Sequence, residues 1–221
     1  MIETSQELSR ATDNDIVLKA VCYRLTSTFW PGLGVTCHVG VLGAARYVVR
    51  AAVDRATLRG DKTRVHAELA ALLDGASLLE PSVSEIELAS EMEIAAQRAG
   101  VSLDSGESQL AAMVCLRGID LLETGDKRAI LGLETVLDQI ERLRPICGRV
   151  RSLEQIVRAH IADEQTRNRL TEVICSEPAV DKALSICFSC FSGREGATNP
   201  TEGLDSYIAD LRRRAPRVLV A

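Results

Sequence analysis

Acidic residues stand at three places where the sequence predicts the start of a helix. The segment DNDIVLK carries Asp13 and Asp15, and a later stretch carries Glu107 and, just past a predicted strand, Asp126. In open α/β sheets, ligands gather outside the carboxyl ends of the strands, which is where Asp126 is expected. Carboxylates that met there would repel one another, and a divalent cation that prefers oxygen ligands would relieve the repulsion. Carboxylates at these helix starts could therefore converge on one site if the helices pack against the strand.

The same acids are also residue types that begin helices for structural reasons alone. Asp104 and Glu107 have the spacing of a capping box, and Asp126 suits an N-cap position. Asp13 or Asp15 could cap the first helix, whose dipole favours a negative charge at its start. Both interpretations stay open on the sequence: helix caps alone, or caps that also form a site.

Residues 103–130 resemble the second half of a PIN-like domain. In that family, an acid near a Gly-Glu helix start is followed by an apolar helix, a strand and an acidic turn. Gly106-Glu107-Ser108 and Thr124-Gly125-Asp126-Lys127 match that order and spacing, and Asp13-Asn14-Asp15 resembles the opening acid of the family. The resemblance covers residues 10–150.

The chain departs from the family pattern in three features. Residues 3–12 are polar, so no apolar strand is predicted before the first Asp. Residues 30–80 look like a larger helical insertion than usual. The second acid of the family has four candidates, Glu68, Glu85, Glu87 and Glu91, and the sequence does not choose among them.

The resemblance implies a metal-dependent endonuclease that cleaves RNA, or sometimes flap-like DNA, with Mg²⁺ or Mn²⁺. The ion would orient and deprotonate a water and stabilise charge on the phosphate. A toxin-like or defence role would fit this activity. The alternative is a catalytically inactive PIN-like module that binds a partner protein or forms a homo-oligomer. The implied residues are Asp13, Glu107 and Asp126 for catalysis, Asp13, Asp15, Asp104, Glu107 and Asp126 for metal binding, and Lys127, Arg128, Arg149 and Arg151 for substrate binding.

Helical periodicity alternates with short apolar runs along the chain. This alternation predicts an α/β fold with a small, mostly parallel central sheet of four or five strands, flanked by helices. We expect residues 1–150 to form a PIN-like domain with a helical insertion at about 30–80, and residues 151–221 to form a helical C-terminal extension. Strands are predicted at 76–79, 119–124 and 145–150, helices at 16–26, 39–58, 127–142 and 204–214, and a loop at 192–203.

The formal net charge of −5 does not indicate a general nucleic-acid binder. Residues 80–107 hold seven acids against one arginine, whereas residues 142–169 hold seven arginines against three acids. A metal site beside a phosphate-binding surface would show this distribution, and so would two solvated helix faces. The aromatic residues Tyr23, Phe29, Trp30 and Tyr47 are too few for an extended single-strand stacking platform.

Neither a membrane span nor a signal peptide is predicted, because no apolar run reaches about 18 residues and residues 1–15 are charged. We therefore expect a cytoplasmic protein whose seven cysteines are reduced, mostly buried thiols. Cys187-Phe-Ser-Cys190 has the spacing of a redox or metal motif, but it lies in an apolar helix without a second pair. Core thiols are predicted there, which Cys175 could join only through folding.

Overall fold

The computed structural model describes residues 8–191 and 199–221 and confirms the α/β fold. A five-stranded, wholly parallel sheet with strand order β3-β2-β1-β4-β5 lies between two layers of helices. The strands are β1 (Arg10–Thr12), β2 (Val39–Leu42), β3 (Ser77–Leu79), β4 (Leu121–Thr124) and β5 (Val150–Ser152). The helices are α1 (Asn14–Cys22), α2 (Thr26–Phe29), α3 (Ala45–Arg55), α4 (Lys62–Gly75), α5 (Val83–Ala99), α6 (Ser105–Arg117), α7 (Lys127–Val136), α8 (Leu153–Ala159), α9 (Glu164–Ser176), α10 (Lys182–Cys187) and α11 (Pro200–Arg214).

Side chains that alternate along the strands divide the core into two apolar layers. In β2, Val41 packs with the layer formed by α1, α3, α4 and the C-terminal helices, whereas Leu42 packs with the layer formed by α5, α6 and α7. Parallel strands covered on both faces are expected to be apolar throughout, and all four residues of β2 are buried. Side chains from both faces of the sheet therefore contribute to the core.

A strand does precede Asp13, although residues 3–12 lack the apolar run that a buried strand usually shows. β1 is only three residues long, and its polar side chains face a buried carboxylate rather than apolar neighbours. Thr12 Oγ1 donates to Glu123 Oε2 at 3.0 Å, and Arg10 Nη1 lies 3.3 Å from Glu123 Oε1. Trp30 Nε1 donates to the same carboxylate at 2.9 Å, so a fully buried Glu123 is paired on several sides. This pairing allows a polar segment to occupy the centre of the sheet.

The helix predicted at residues 39–58 begins later than expected. Residues 39–42 form β2, and α3 begins only at Ala45, because a short run buried on both faces is better satisfied by a sheet. The helix predicted at 127–142 stops at Val136 and is followed by two 3-10 helices, Leu137–Gln139 and Glu141–Ile146. The strand predicted at 145–150 lies at Val150–Ser152 instead.

The C-terminal segment also differs in part from its prediction. The last helix begins at Pro200 rather than 204, with Asn199 as its N-cap and Pro in its first turn. Of the predicted loop at 192–203, residues 192–198 lie outside the described residues. Beyond α11, Val220 N donates to Val150 O at 2.8 Å, so the final residues lie along the outer edge of β5.

Two cysteines contradict the prediction that all seven are reduced thiols. Cys175 at the end of α9 and Cys190 just after α10 form a disulfide, with their Cα atoms 4.9 Å apart. Folding brings these two residues together although 15 positions separate them, which spacing alone does not reveal. Cys147 is a free but exposed thiol, whereas Cys187 is a free, buried one, as predicted.

Within residues 8–191 and 199–221, no helix combines the length and the apolar character that crossing a membrane requires.

Candidate functional site

The carboxylates predicted from distant parts of the sequence line one open cavity. The cavity has a volume of about 940 Å³ and lies beside the carboxyl ends of β1 and β4. In a parallel sheet these ends share one edge, so residues that follow different strands meet there. The acidic residues that line it are Asp13, Asp15, Asp104, Glu107, Asp126 and Asp181. All five predicted metal-binding residues are therefore brought to the same cavity.

Asp13 is held by the backbone at the junction between β1 and α1. Its own N–H donates to Glu123 O at 2.9 Å, which continues the sheet pairing, and its carboxylate caps the helix. One oxygen accepts the Asn14 N–H at 2.6 Å, and the other accepts the Asp15 N–H at 3.4 Å. The residue is only 8% exposed, so the carboxylate is fixed at the cavity wall rather than free in solvent.

Asp104 and Glu107 form the capping box predicted at the start of α6. The Glu107 N–H donates to Asp104 Oδ1 at 3.0 Å, and the Asp104 N–H donates to Glu107 Oε2 at 3.2 Å. Glu107 is 6% exposed. The structural interpretation is therefore correct, and the same two side chains also line the cavity.

Asp126 caps α7 and also faces the cavity. Its carboxylate accepts the Arg128 N–H at 2.7 Å and lies 2.6 Å from Arg128 Nη2. Burial opposes ionisation of this group, but the hydrogen bonds from Arg128 prevail and leave the pKa of Asp126 below its ordinary value. Asp126 is thus a stable anion whose present partner, Arg128, is exposed.

Two acids in the cavity are much harder to ionise than ordinary carboxyls. Burial, followed by repulsion from Asp15, raises the pKa of Asp13 to about 6. Burial also raises the pKa of Glu107 to about 8, with further repulsion from Asp104, Asp126 and Asp13. Carboxyls whose pKa is raised by burial and by neighbouring acids are typical of catalytic and binding sites.

A buried lysine joins two further acids at the cavity wall. Lys19 Nζ lies 2.5 Å from Asp15 Oδ2 and 2.8 Å from Asp181 Oδ2. Burial alone would lower the pKa of Lys19, but the two carboxylates raise it above its ordinary value. A Cβ atom at Gly125 would lie 2.0 Å from Asp15 Oδ2, so a side chain at this position would displace Asp15 from its pairing with Lys19. The pair Lys19–Asp181 attaches the start of α10 to the site.

Of the four predicted substrate-binding residues, the cavity lining includes only Lys127. Lys127 Nζ lies 2.6 Å from Oε1 of the buried Glu154 and 5.7 Å from the centre of the Tyr207 ring. Arg128 is adjacent and mostly exposed, and it is paired with Asp126.

Arg149 and Arg151 lie elsewhere. Arg149 donates to Ile119 O at 3.1 Å, at the amino end of β4. Arg151 lines a separate groove with Arg158 and Arg212. The cluster of arginines predicted to face the acids is therefore not assembled beside them.

The candidates for the second family acid lie outside this cavity. Glu85 binds Arg117, Glu91 binds Arg142, and Glu68 accepts a hydrogen bond from Thr26 Oγ1, whereas Glu87 is exposed. None of the four is a lining residue.

Sequence reasoning missed Asp181 and Lys19. Lys19 could have been found, because it follows Asp15 by four residues, the spacing of a helical ion pair. Helical periodicity at 178–191 predicts a helix with Asp181 inside it, whereas Asp181 is the N-cap of α10.

The carboxylates do not yet form a closed coordination sphere. Across the described parts of the chain, no group of three or more His, Cys, Asp or Glu side chains is arranged to hold a metal ion. Asp126 is turned to Arg128, and Asp15 is turned to Lys19.

No family model, curated protein or solved structure matches this chain.

Proposed function

We propose that this protein is a metal-dependent endonuclease that cleaves phosphodiester bonds in RNA, as its resemblance to PIN-like domains implies. The observation that carries the proposal is the convergence of Asp13, Asp104, Glu107 and Asp126 on one cavity. Sheet topology alone brings together the helix starts that follow β1 and β4. Helix α6 follows another helix rather than a strand, yet its two capping acids line the same cavity. An RNA substrate would place the protein in the cytoplasm, where its disulfide would face reducing thiols.

The donor set fits Mg²⁺ or Mn²⁺. All acidic lining residues offer oxygen, and Mg²⁺ is usually held by one or two carboxylates together with waters and substrate phosphate. Asp13 and Glu107 would hold the ion, Asp126 would join when Arg128 releases it, and Asp15 and Asp104 would act through water. When bound, the ion supplies an activated water and offsets charge on the phosphate.

The protein's own groups favour a phosphate at the same place. Helices α1, α6 and α7 begin at the cavity, so the positive ends of their dipoles point towards it. Lys127 and Lys182 add two cationic side chains to the lining. Because Glu154 holds Lys127 at 2.6 Å, its ammonium group is already oriented before substrate arrives. These groups would hold the backbone of the substrate while the acids hold the ion.

The decisive experiment measures cleavage of labelled RNA with Mg²⁺, with Mn²⁺ and with a chelator. We expect the wild type to cleave only with metal, and Asp126→Asn and Glu107→Gln to be inactive. Glu85→Gln is the matched control, because Glu85 is also a buried capping-box residue but lies outside the cavity. Persistence of activity in both site variants would show that the assigned site is wrong.

A second readout does not depend on turnover. Mn²⁺ that binds only the folded protein stabilises it by about 2.7 kcal/mol at a concentration 100 times its Kd. We expect a rise in Tm with millimolar Mn²⁺ for the wild type and for Glu85→Gln, and a smaller rise for Asp13→Asn. An unchanged wild-type Tm would count against the metal site.

The alternative function is a catalytically inactive interaction module that binds a partner protein or a second copy of itself. Two observations favour it: Asp126 is engaged by Arg128, and Asp15 is engaged by Lys19. If neither metal shifts Tm and no RNA is cleaved, the alternative is preferred, and light scattering would then test for self-association.

A further inference from the structure

Helix α3 separates the acidic cavity from a second, smaller groove. Ala44, its N-cap, and Val48 line the acidic cavity. Arg46 and Arg50 lie on another side of the helix, where they line a groove of about 240 Å³. Tyr47 falls between these two sides, because each residue turns about 100° around a helix. Tyr47 is therefore an exposed residue of α3 between the cavity and the groove.

The side chain of Tyr47 is exposed to solvent and does not belong to the apolar core. Its relative exposure is 73%, whereas Tyr23, Phe29 and Trp30 are about 1% exposed. The other aromatics considered in the sequence thus belong to the core, and Tyr47 alone among them offers a ring face to solvent. An exposed aromatic ring beside a basic groove is the element on which single-stranded bases stack.

The two arginines carry charges that the rest of the described chain leaves uncompensated. No hydrogen bond or ion pair joins the side chain of Arg46 or Arg50 to another residue within 8–191 or 199–221. They are four positions apart on one helix, where like charges repel and destabilise the helix slightly. The remaining groove residues are His66, Leu69, Ala70 and Leu73, so no carboxylate lines the groove. His66 is paired instead with Asp54, at 2.9 Å.

We propose that α3 binds a single-stranded polynucleotide that extends from the acidic cavity. A base stacks on the Tyr47 ring. Arg46 and Arg50 bind the phosphates that lie beyond Tyr47, on the side away from the acidic cavity. The direction of the strand rests on the proposed function, because the acidic cavity is taken as the place where the strand is cut. The binding surface itself depends only on the three residues of α3. In a duplex the bases stack on one another, so none is free to stack on Tyr47 while the phosphates contact the two arginines. Single strands are therefore preferred.

The test measures fluorescence anisotropy of labelled oligonucleotides in EDTA, where no cleavage occurs. Three probes of equal length show which type of nucleic acid binds: single-stranded RNA, single-stranded DNA and duplex RNA. We expect Tyr47→Ala to weaken single-strand binding about tenfold. Tyr47→Phe keeps the ring and should restore most of the affinity.

The arginines are tested through the salt dependence of binding. Arg46→Ala with Arg50→Ala removes two phosphate contacts, which should lower the slope of log affinity against log salt by about 1.4. The matched control is Arg98→Ala with Arg213→Ala, because these exposed arginines line neither the cavity nor the groove. The control should retain most of the slope.

The outcomes separate this inference from the proposed nuclease. If oligonucleotide binding depends on Tyr47 but the wild type cleaves no RNA, the binding surface on α3 is supported and the nuclease function is refuted. Cleavage together with unchanged binding by Tyr47→Ala and the double arginine variant would overturn the surface alone. Equal affinity for the duplex would also overturn it. A change in molar mass of Tyr47→Ala by light scattering would assign α3 to an interface between copies instead.

Discussion

Glu107→Gln should make the metal-free protein more stable, although the substitution falls on a buried and hydrogen-bonded residue. A glutamine keeps the shape and still accepts the hydrogen bond from the Asp104 N–H, so the capping box survives in part. What disappears is a carboxyl whose ionisation is opposed by burial and by three neighbouring acids. The net effect at alkaline pH is the relief of an unfavourable charge.

The size of the gain follows from the displaced pKa. Each pKa unit corresponds to about 1.4 kcal/mol, so an increase from 4.5 to about 8 sets an upper bound of about 5 kcal/mol. The cavity is open to water, which screens the repulsion, and we therefore expect about 2 kcal/mol. For a chain of this size, that corresponds to a rise in Tm of roughly 4–8 °C.

The gain should depend on pH in a defined direction. Because the folded-state pKa of Glu107 is raised, the folded protein holds a proton that the unfolded chain has lost between pH 4.5 and about 8. The free energy of unfolding of the wild type therefore falls as pH rises through this window. The advantage of Glu107→Gln should be small below pH 4.5, grow across the window and level off above it.

The assay is thermal unfolding in EDTA at pH 5 and pH 8.5, with Glu85→Gln as the control. Glu85 occupies the equivalent capping-box position in α5, but hydrogen bonds from Arg117 lower its pKa to about 2. The same substitution there removes a favourable ion pair and should destabilise the protein by about 2 kcal/mol at both pH values. If Glu107→Gln lowers Tm at pH 8.5 as Glu85→Gln does, the electrostatic account of the cavity is refuted.

Two further predictions concern other parts of the fold. Replacing Cys175 and Cys190 together by Ala should lower the free energy of unfolding by about 3 kcal/mol, the value for a closed loop of 15 residues. Urea titration in non-reducing buffer checks this, and unchanged stability would show that the bond is not formed. Glu123→Gln should cost about 3 kcal/mol, because Arg10 and Trp30 lose their buried ionic partner. A thermal melt indistinguishable from that of the wild type would contradict the role given to this network.

The sequence predicted the sheet and its helices where local signals agreed with tertiary packing. The run at residues 119–124 and the capping box at Asp104 and Glu107 have signatures that need no knowledge of neighbours, and both are confirmed in the structure. β1 was missed because its residues are polar and depend on Glu123, more than a hundred positions away. A local sequence pattern cannot predict a contact with a residue that lies so far away in the chain.

The candidate site was predictable to a similar extent. The acids that begin helices were found because a cap and a site place the same residue types at the same positions. Asp181 was missed because its relevance comes from Lys19, which reaches it across the fold. The resemblance implied a substrate-binding role for Arg149 and Arg151, but strand direction places Arg149 at the opposite end of the sheet.

The layer of apolar side chains on one face of the sheet is assembled from both ends of the chain. Val17 and Val49 pack there with Ile156, Ile174 and residues of the later helices. A fragment ending at residue 152 would keep all five strands, yet it would expose to water the apolar side chains of this layer that the later helices cover. Such a fragment would be prone to aggregation, so the later helices are needed for a well-packed core.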